Sequence, residues 1–239
     1  VLAGNSPPYE RFMFQFRFKK FTYRSFFGFL ETTGLDLNIQ RYISGGAIEY
    51  RNHTNFVLGI SGTSLLSGKN RPIDLGFLNP LSSHLDVDQN DRGNSGDAND
   101  NNAIWGIYAD WYIRPGIRTS ISIAADEIEL DKGSGKESGK LNLKNALAYS
   151  QRIAWTPLRS PFGLTFIGSW VRVDPFTFKH RTIYSRNVTR NELIGHPIGN
   201  DAELFSFGIR SVLRHRVQIL FETAVLKRGE ESMVEDPYG

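Results

Sequence analysis

An all-β chain folded as a transmembrane antiparallel β-barrel is what this 239-residue sequence predicts. Three observations predict it. Apolar residues recur at every second position in segment after segment, no segment keeps a helical period, and the connections between segments alternate in length. No run of about 18 apolar residues exists to make a helical span, whereas barrel strands alternate and never read as continuously apolar.

The elements follow in order. In RFMFQFRFKKF, residues 11–21, Phe12, Phe14, Phe16 and Phe18 take one side of a strand and Met13, Gln15 and Arg17 the other. After the Lys19-Lys20 turn the period resumes with Phe21, Tyr23, Phe27 and Phe29. Trp105, Ile107, Ala109, Trp111 and Ile113 oppose Tyr108 and Asp110, and after Arg114-Pro115-Gly116 the residues Ile117, Thr119, Ile121 and Ile123 oppose Arg118, Ser120 and Ser122. Leu147, Tyr149, Ile153 and Trp155 oppose Ser150 and Arg152; Phe205, Phe207, Ile209 and Leu213 oppose Ser206 and Arg210; Val217, Ile219, Phe221 and Val225 oppose Gln218 and Glu222. About ten strands are expected, each near the 9 to 11 residues of a tilted span.

Short polar turns are expected at Lys19-Lys20, Asn52–Asn55, Arg114–Gly116, Thr156–Pro161 and Arg214–Arg216, and long connections at Ser67–Asn102, Asp131–Lys140 and Asp174–Asp201. Sorting of this kind is what an outer-membrane barrel shows, with tight turns at the periplasm and loops outside. A soluble sandwich is the alternative, but its solvent face would be rich in Lys, Glu and Thr. Here that face holds Ser, Gly, Tyr and Gln with a few charges, which suits a crowded lumen. Tyr108, Asp110, Arg118 and Asp126 are the lumen candidates, Asp126 because it is in phase with Arg118 and the serines. The phenylalanines of the first strand then face acyl chains, and Trp105, Trp155 and Trp170 read as an interfacial girdle at strand ends.

Composition narrows the function. The net charge of +3 and scattered cations argue against nucleic acid. With no cysteine there is no disulfide and no thiolate chemistry. His53, His84, His180, His196 and His215 are not at metal-ligand spacing from one another, so neither metal nor cofactor is expected. Asp86-x-Asp88-x-Asn90 is like the start of a calcium loop but lacks the fixed glycine and closing glutamate, which leaves a solvated extracellular loop. Ser83-His84 is merely consecutive, Asp126 and Glu127 point to opposite faces, and no nucleophile stands beside a base. The N-terminus, VLAGNSPP, has neither an initiator Met nor a signal pattern, and the closing EESMVEDPYG is loop-like, so a portion of a longer chain is expected.

The stretch from Asp174 to Asp201 mixes Phe176, Phe178 and Tyr184 with Arg181, Arg186, Arg190 and His196. Aromatic faces beside charged donors suit a sugar site, by stacking on rings and hydrogen-bonding to hydroxyls or carboxylates. The plainer reading folds these aromatics across a barrel mouth. In this loop WVRVDPFTFKHR, residues 170–181, and LIGHPIGNDAE, residues 193–203, resemble the capsule-assembly proteins of the Wzi type. LGISGTSLLSGKNRPIDLGFLNPL, residues 58–81, the acids Asp126-Glu127 and the late Lys227-Arg228-Gly229-Glu230 resemble the same family in the same order.

The resemblance covers about residues 56–230. It implies an eighteen-stranded outer-membrane barrel, of which this chain is a portion, that binds capsular or related surface polysaccharide as a lectin. The family's periplasmic helical bundle has no counterpart here. The implied partners are polysaccharide, outer-membrane lipid or lipopolysaccharide and the polysaccharide export machinery. Glycan contacts are expected from His180, Arg181, Tyr184, Arg186, Arg190 and His196. A channel or porin and a barrel enzyme acting on lipid or glycan are the rival readings.

Overall fold

The computed structural model describes residues 9–31, 38–73, 76, 99–126, 129–130, 141–142, 146–158, 163–179, 183–190, 192–213 and 217–230. The strands are β1 (Glu10–Phe18), β2 (Phe21–Leu30), β3 (Ile39–Arg51), β4 (Phe56–Lys69), β5 (Asn99–Arg114), β6 (Ile117–Asp126), β7 (Glu129–Leu130), β8 (Leu141–Asn142), β9 (Leu147–Trp155), β10 (Thr165–Val173), β11 (Val188–Thr189), β12 (Glu192–Leu193), β13 (Ala202–Leu213) and β14 (Val217–Arg228). Ten of them form one antiparallel sheet in the order β1-β2-β3-β4-β5-β6-β9-β10-β13-β14, while β7 with β8 and β11 with β12 make two small hairpins. Each strand pairs with its sequence neighbour in the sheet, so the chain is an up-and-down meander with β1 and β14 outermost.

The tight turns at residues 19–20, 52–55 and 115–116 lie at one end of this meander and the longest connections, 70–98, 127–146 and 174–201, at the other; the 156–164 connection at the turn end has nine residues, against eight for 31–38 at the far end. Local chemistry fixes the short ones. At residues 52–55 the Asn52 side-chain oxygen accepts from the Thr54, Asn55 and Phe56 amides at 3.0, 3.0 and 2.9 Å, which closes the turn. Two expected boundaries move: β4 runs on to Lys69 and β5 begins at Asn99, so Ser67 and Asn102 belong to strands rather than to the long connection. Trp105 consequently lies well inside β5, not at its end. A register shift between Tyr112 and Arg114 takes Ile113 out of the alternation predicted for it. The Asp86–Asp97 run, residues 131–140 and residues 214–216 lie outside the described residues.

The two faces differ sharply. The outer face carries Phe12, Phe14, Phe16, Phe18, Ile48, Ile60, Ile107, Ile121, Ile153, Phe207, Ile219 and Phe221, all exposed. Its strand charges are Glu10, Arg172, Glu203 and Lys227, each at the long-connection end, apart from Arg114 beside a turn. The inner face carries Arg17, Arg24, Arg41, Glu49, Arg51, Asp110, Arg118, Asp126, Arg152, Arg210 and Glu222. Tyr108, Asp110, Arg118 and Asp126 therefore share the face assigned to them from the alternation.

One hydrogen-bonded row crosses all ten strands through Phe16, Tyr23, Ile48, Ile60, Ile107, Ile123, Tyr149, Arg172, Glu203 and Lys227. It begins two residues from the turn end of β1 and finishes ten from the turn end of β14, a drift of eight residues over nine strand steps. Eight residues of about 3.3 Å over nine strand steps of about 4.8 Å tilt the strands by about 31° away from the normal to the line of turns. This lies just below the tilts of about 35–45° found in closed barrels.

Candidate functional site

The segment between β10 and β13, residues 174–201, folds back over the inner face at the long-connection end. Its first turn is pinned to β9, where the Asp174 amide and the Thr177 hydroxyl both donate to the Leu147 carbonyl, at 2.9 and 3.0 Å. Phe178 takes a left-handed backbone conformation, φ 66°, and its amide donates to the Asp126 carboxylate, which is 1% exposed on β6. The Phe178 ring enters the largest buried cluster, with Ala124, Ala148, Val171, Val173, Val188, Ile198 and Ala202. Phe178 is a core residue, then, and not the exposed sugar platform that its sequence context suggested; Phe176 remains exposed.

Farther along, the 3-10 turn Ile183–Ser185 reaches β3, β4 and β5. Ser185 and Ser67 share a hydroxyl hydrogen bond of 2.6 Å, and the Asn102 amide donates to the Ser185 carbonyl at 3.3 Å. Arg41 of β3, 2% exposed, holds the segment most firmly. Its guanidinium donates to the carbonyls of Tyr184 at 2.7 Å, Glu31 at 3.0 Å, Arg186 at 2.9 Å and Val188 at 2.8 Å. A planar fork with five N–H groups is the one side chain that can satisfy so many converging carbonyls. The segment acts as a plug with a polar latch.

This placement separates the expected glycan contacts. Arg186 and His196 are buried in the plug, Tyr184 is half-buried with its carbonyl on Arg41, and exposed Arg190 is paired with Glu31 at 3.1 Å. His180 and Arg181 lie outside the described residues. The His196 ring accepts the Ile198 amide on Nδ1 at 3.3 Å, and burial holds its pKa below the ordinary imidazole value. Buried groups of this kind fix a loop and are closed to a polymer arriving from solvent.

Toward the short turns the inner face is open and polar. Glu49 accepts from Arg51 at 2.8 Å, from Tyr108 at 3.1 Å and from Arg24 at 3.5 Å. Gly59 makes this possible, because a Cβ there would stand 2.2 Å from the Tyr108 ring that lies across it. Arg118 grips both oxygens of Asp110, with contacts of 2.8 to 3.1 Å. Beyond it lie Ser120, Arg152, Ser169 and Ser206 in one cross-strand row, the last two joined by a 2.6 Å hydroxyl contact. Sequence reasoning found Tyr108, Asp110, Arg118 and Asp126 and set Arg152 on the polar face without naming it a site residue, but missed Arg41 and Glu49; both were legible as charges in phase with the inward Gly45.

Among the described residues no group of three or more His, Asp or Glu could hold a metal ion. Comparison with family models, with curated proteins and with solved structures finds no match for this chain.

Proposed function

We propose that this chain forms wall and plug of an outer-membrane β-barrel that binds a surface polysaccharide, in keeping with its resemblance to the Wzi type. The observation that carries the membrane half is the division of charge between the two faces of a sheet whose turns drift by about one residue per strand. An outer band of Ile and Phe, left exposed and almost free of charge, is costly in water and is what acyl chains require. On β5 the band runs from Trp105 to Trp111, six residues or about 20 Å along the strand and about 17 Å along the normal, the larger part of an outer-membrane apolar belt of about 25 Å.

The polysaccharide half rests on the inner face and mouth, where arginines, tyrosines and hydroxyls converge as in a site for a polar polymer. A plug latched by Arg41 favours a binding protein over an open porin. Titrating the detergent-solubilised protein with surface polysaccharide from its own source tests this: saturable binding is expected, with little conductance in planar bilayers. Open-pore conductance without glycan binding would favour the channel.

A further inference from the structure

We infer that the inner face carries a subsite for a carboxylate-bearing sugar unit centred on Arg152; this rests on the polysaccharide reading and names the class of sugar. Of the other charges of the open half, Arg24 and Arg51 pair with Glu49, Arg118 grips both oxygens of Asp110, and Arg210 hydrogen-bonds to Gln218. Arg152 has no acidic partner among the described residues. By register the nearest inner-face carboxylate on its own row is Asp110, two strands away or about 10 Å, and Asp110 is already held.

What surrounds Arg152 is hydroxyl. Ser120 stands opposite it on β6 and Ser169 on β10, Ser206 continues the row on β13, and Ser150 lies two residues along β9 on the same face. An exposed guanidinium ringed by small hydroxyls leaves room above the sheet and offers both kinds of donor that an acidic sugar needs. The planar fork takes a carboxylate in bidentate fashion, and the serines take ring hydroxyls. Charge balance points the same way: Glu49 already serves two arginines, and among the remaining charges of this half Arg17, Arg152 and Arg210 outnumber Glu222, so this wall attracts anions.

The test uses the full chain in detergent and two probes, a hexuronate trisaccharide and its carboxyl-reduced neutral counterpart, with inorganic sulfate as competitor. The acidic trisaccharide is expected to bind at least tenfold more tightly than the neutral one, and Arg152→Ala to remove that preference. Arg152→Lys should retain part of it, and Lys227→Ala on the outer face should leave it intact; unchanged exchange protection of the plug in each variant shows that the fold persists. Equal binding of both trisaccharides, or an acidic preference that survives Arg152→Ala, overturns the subsite and leaves the polysaccharide reading standing. Displacement by equimolar sulfate overturns the sugar assignment in favour of a bare anion site. Failure of native polysaccharide as well as both probes overturns the broader reading too.

Discussion

Replacing Arg41 by alanine should free the plug while leaving the sheet folded. Its guanidinium makes four hydrogen bonds to carbonyls of the plug and of Glu31, at 2.7 to 3.0 Å, from a side chain that is 2% exposed. A hydrogen bond to a charged group contributes about 1.5–3 kcal/mol, and water entering the vacated space satisfies some of the freed carbonyls. Taking the low figure for each bond and allowing for that water leaves a loss of about 4 kcal/mol in docking. Every 1.4 kcal/mol is tenfold, so the opening equilibrium rises about a thousandfold. Amide hydrogen exchange in detergent reads this directly at Ile194, whose amide donates to the Asn187 carbonyl at 2.8 Å within the plug. Arg41→Lys should fall between, because an ammonium has three donors and no planar fork. Exchange within threefold of the parent protein, with sheet melting unchanged, would refute the latch.

Three further outcomes follow from the same contacts. Burial favours neutral His196, so the undocked segment takes the proton first as pH falls; docking is full above the ordinary imidazole pKa and weakens below it. The plug's opening equilibrium, read as exchange corrected for the intrinsic amide rate at each pH, should therefore rise between about pH 7 and pH 5, where a protonated Nδ1 also loses the Ile198 amide, and His196→Gln should flatten the profile. Gly59→Ala should lower stability by about 1–3 kcal/mol, because the ring of Tyr108 must move off Glu49. In a Tyr108→Ala background the same change should cost far less, which a double-mutant cycle of thermal melts measures. Ile60→Lys, at an outer position 55% exposed, should cost about 2–4 kcal/mol in bilayer folding, against nearly nothing for an ordinary surface site in water.

Much of the sheet was legible because the middle of its outer face is largely apolar. Phe12 to Phe18, Ile117 to Ile123 and Val217 to Val225 keep a period of two, broken only where Met13, Leu220 and Ala224 fall on the opposing face and Thr119 and Thr223 on the apolar one, and their spacing placed the tight turns at one end. β3 was missed for a physical reason. In IQRYISGGAIEYR the inward positions carry Arg41 and Glu49 beside Ile43, and Gly45 gives way to the Phe26 ring, 2.5 Å from where its Cβ would be, so neither face reads as apolar. The loop from Asp174 to Asp201 was singled out for its residue types, yet composition says nothing of direction. Aromatic and basic residues that suggest a sugar site serve equally to seat a plug, and the ladder position of Asp126 and Arg41 decides for the plug. Arg152 was read correctly as inward, but that its neighbours leave it unpaired emerges only from the register of four strands.

The lipid-facing outer surface is the claim on which the account turns, and the absence of native cysteine makes it directly measurable. Single cysteines at Ile60, Ile121 and Ile153 on the outer face, and at Ser122 and Ser150 on the inner, would carry a fluorophore into vesicles containing lipids brominated along their acyl chains. Strong quenching at the three outer sites with little at the two inner ones is the expected result. Equal water accessibility of all five, with no bromine quenching, would contradict the account and make the sheet part of a water-soluble protein.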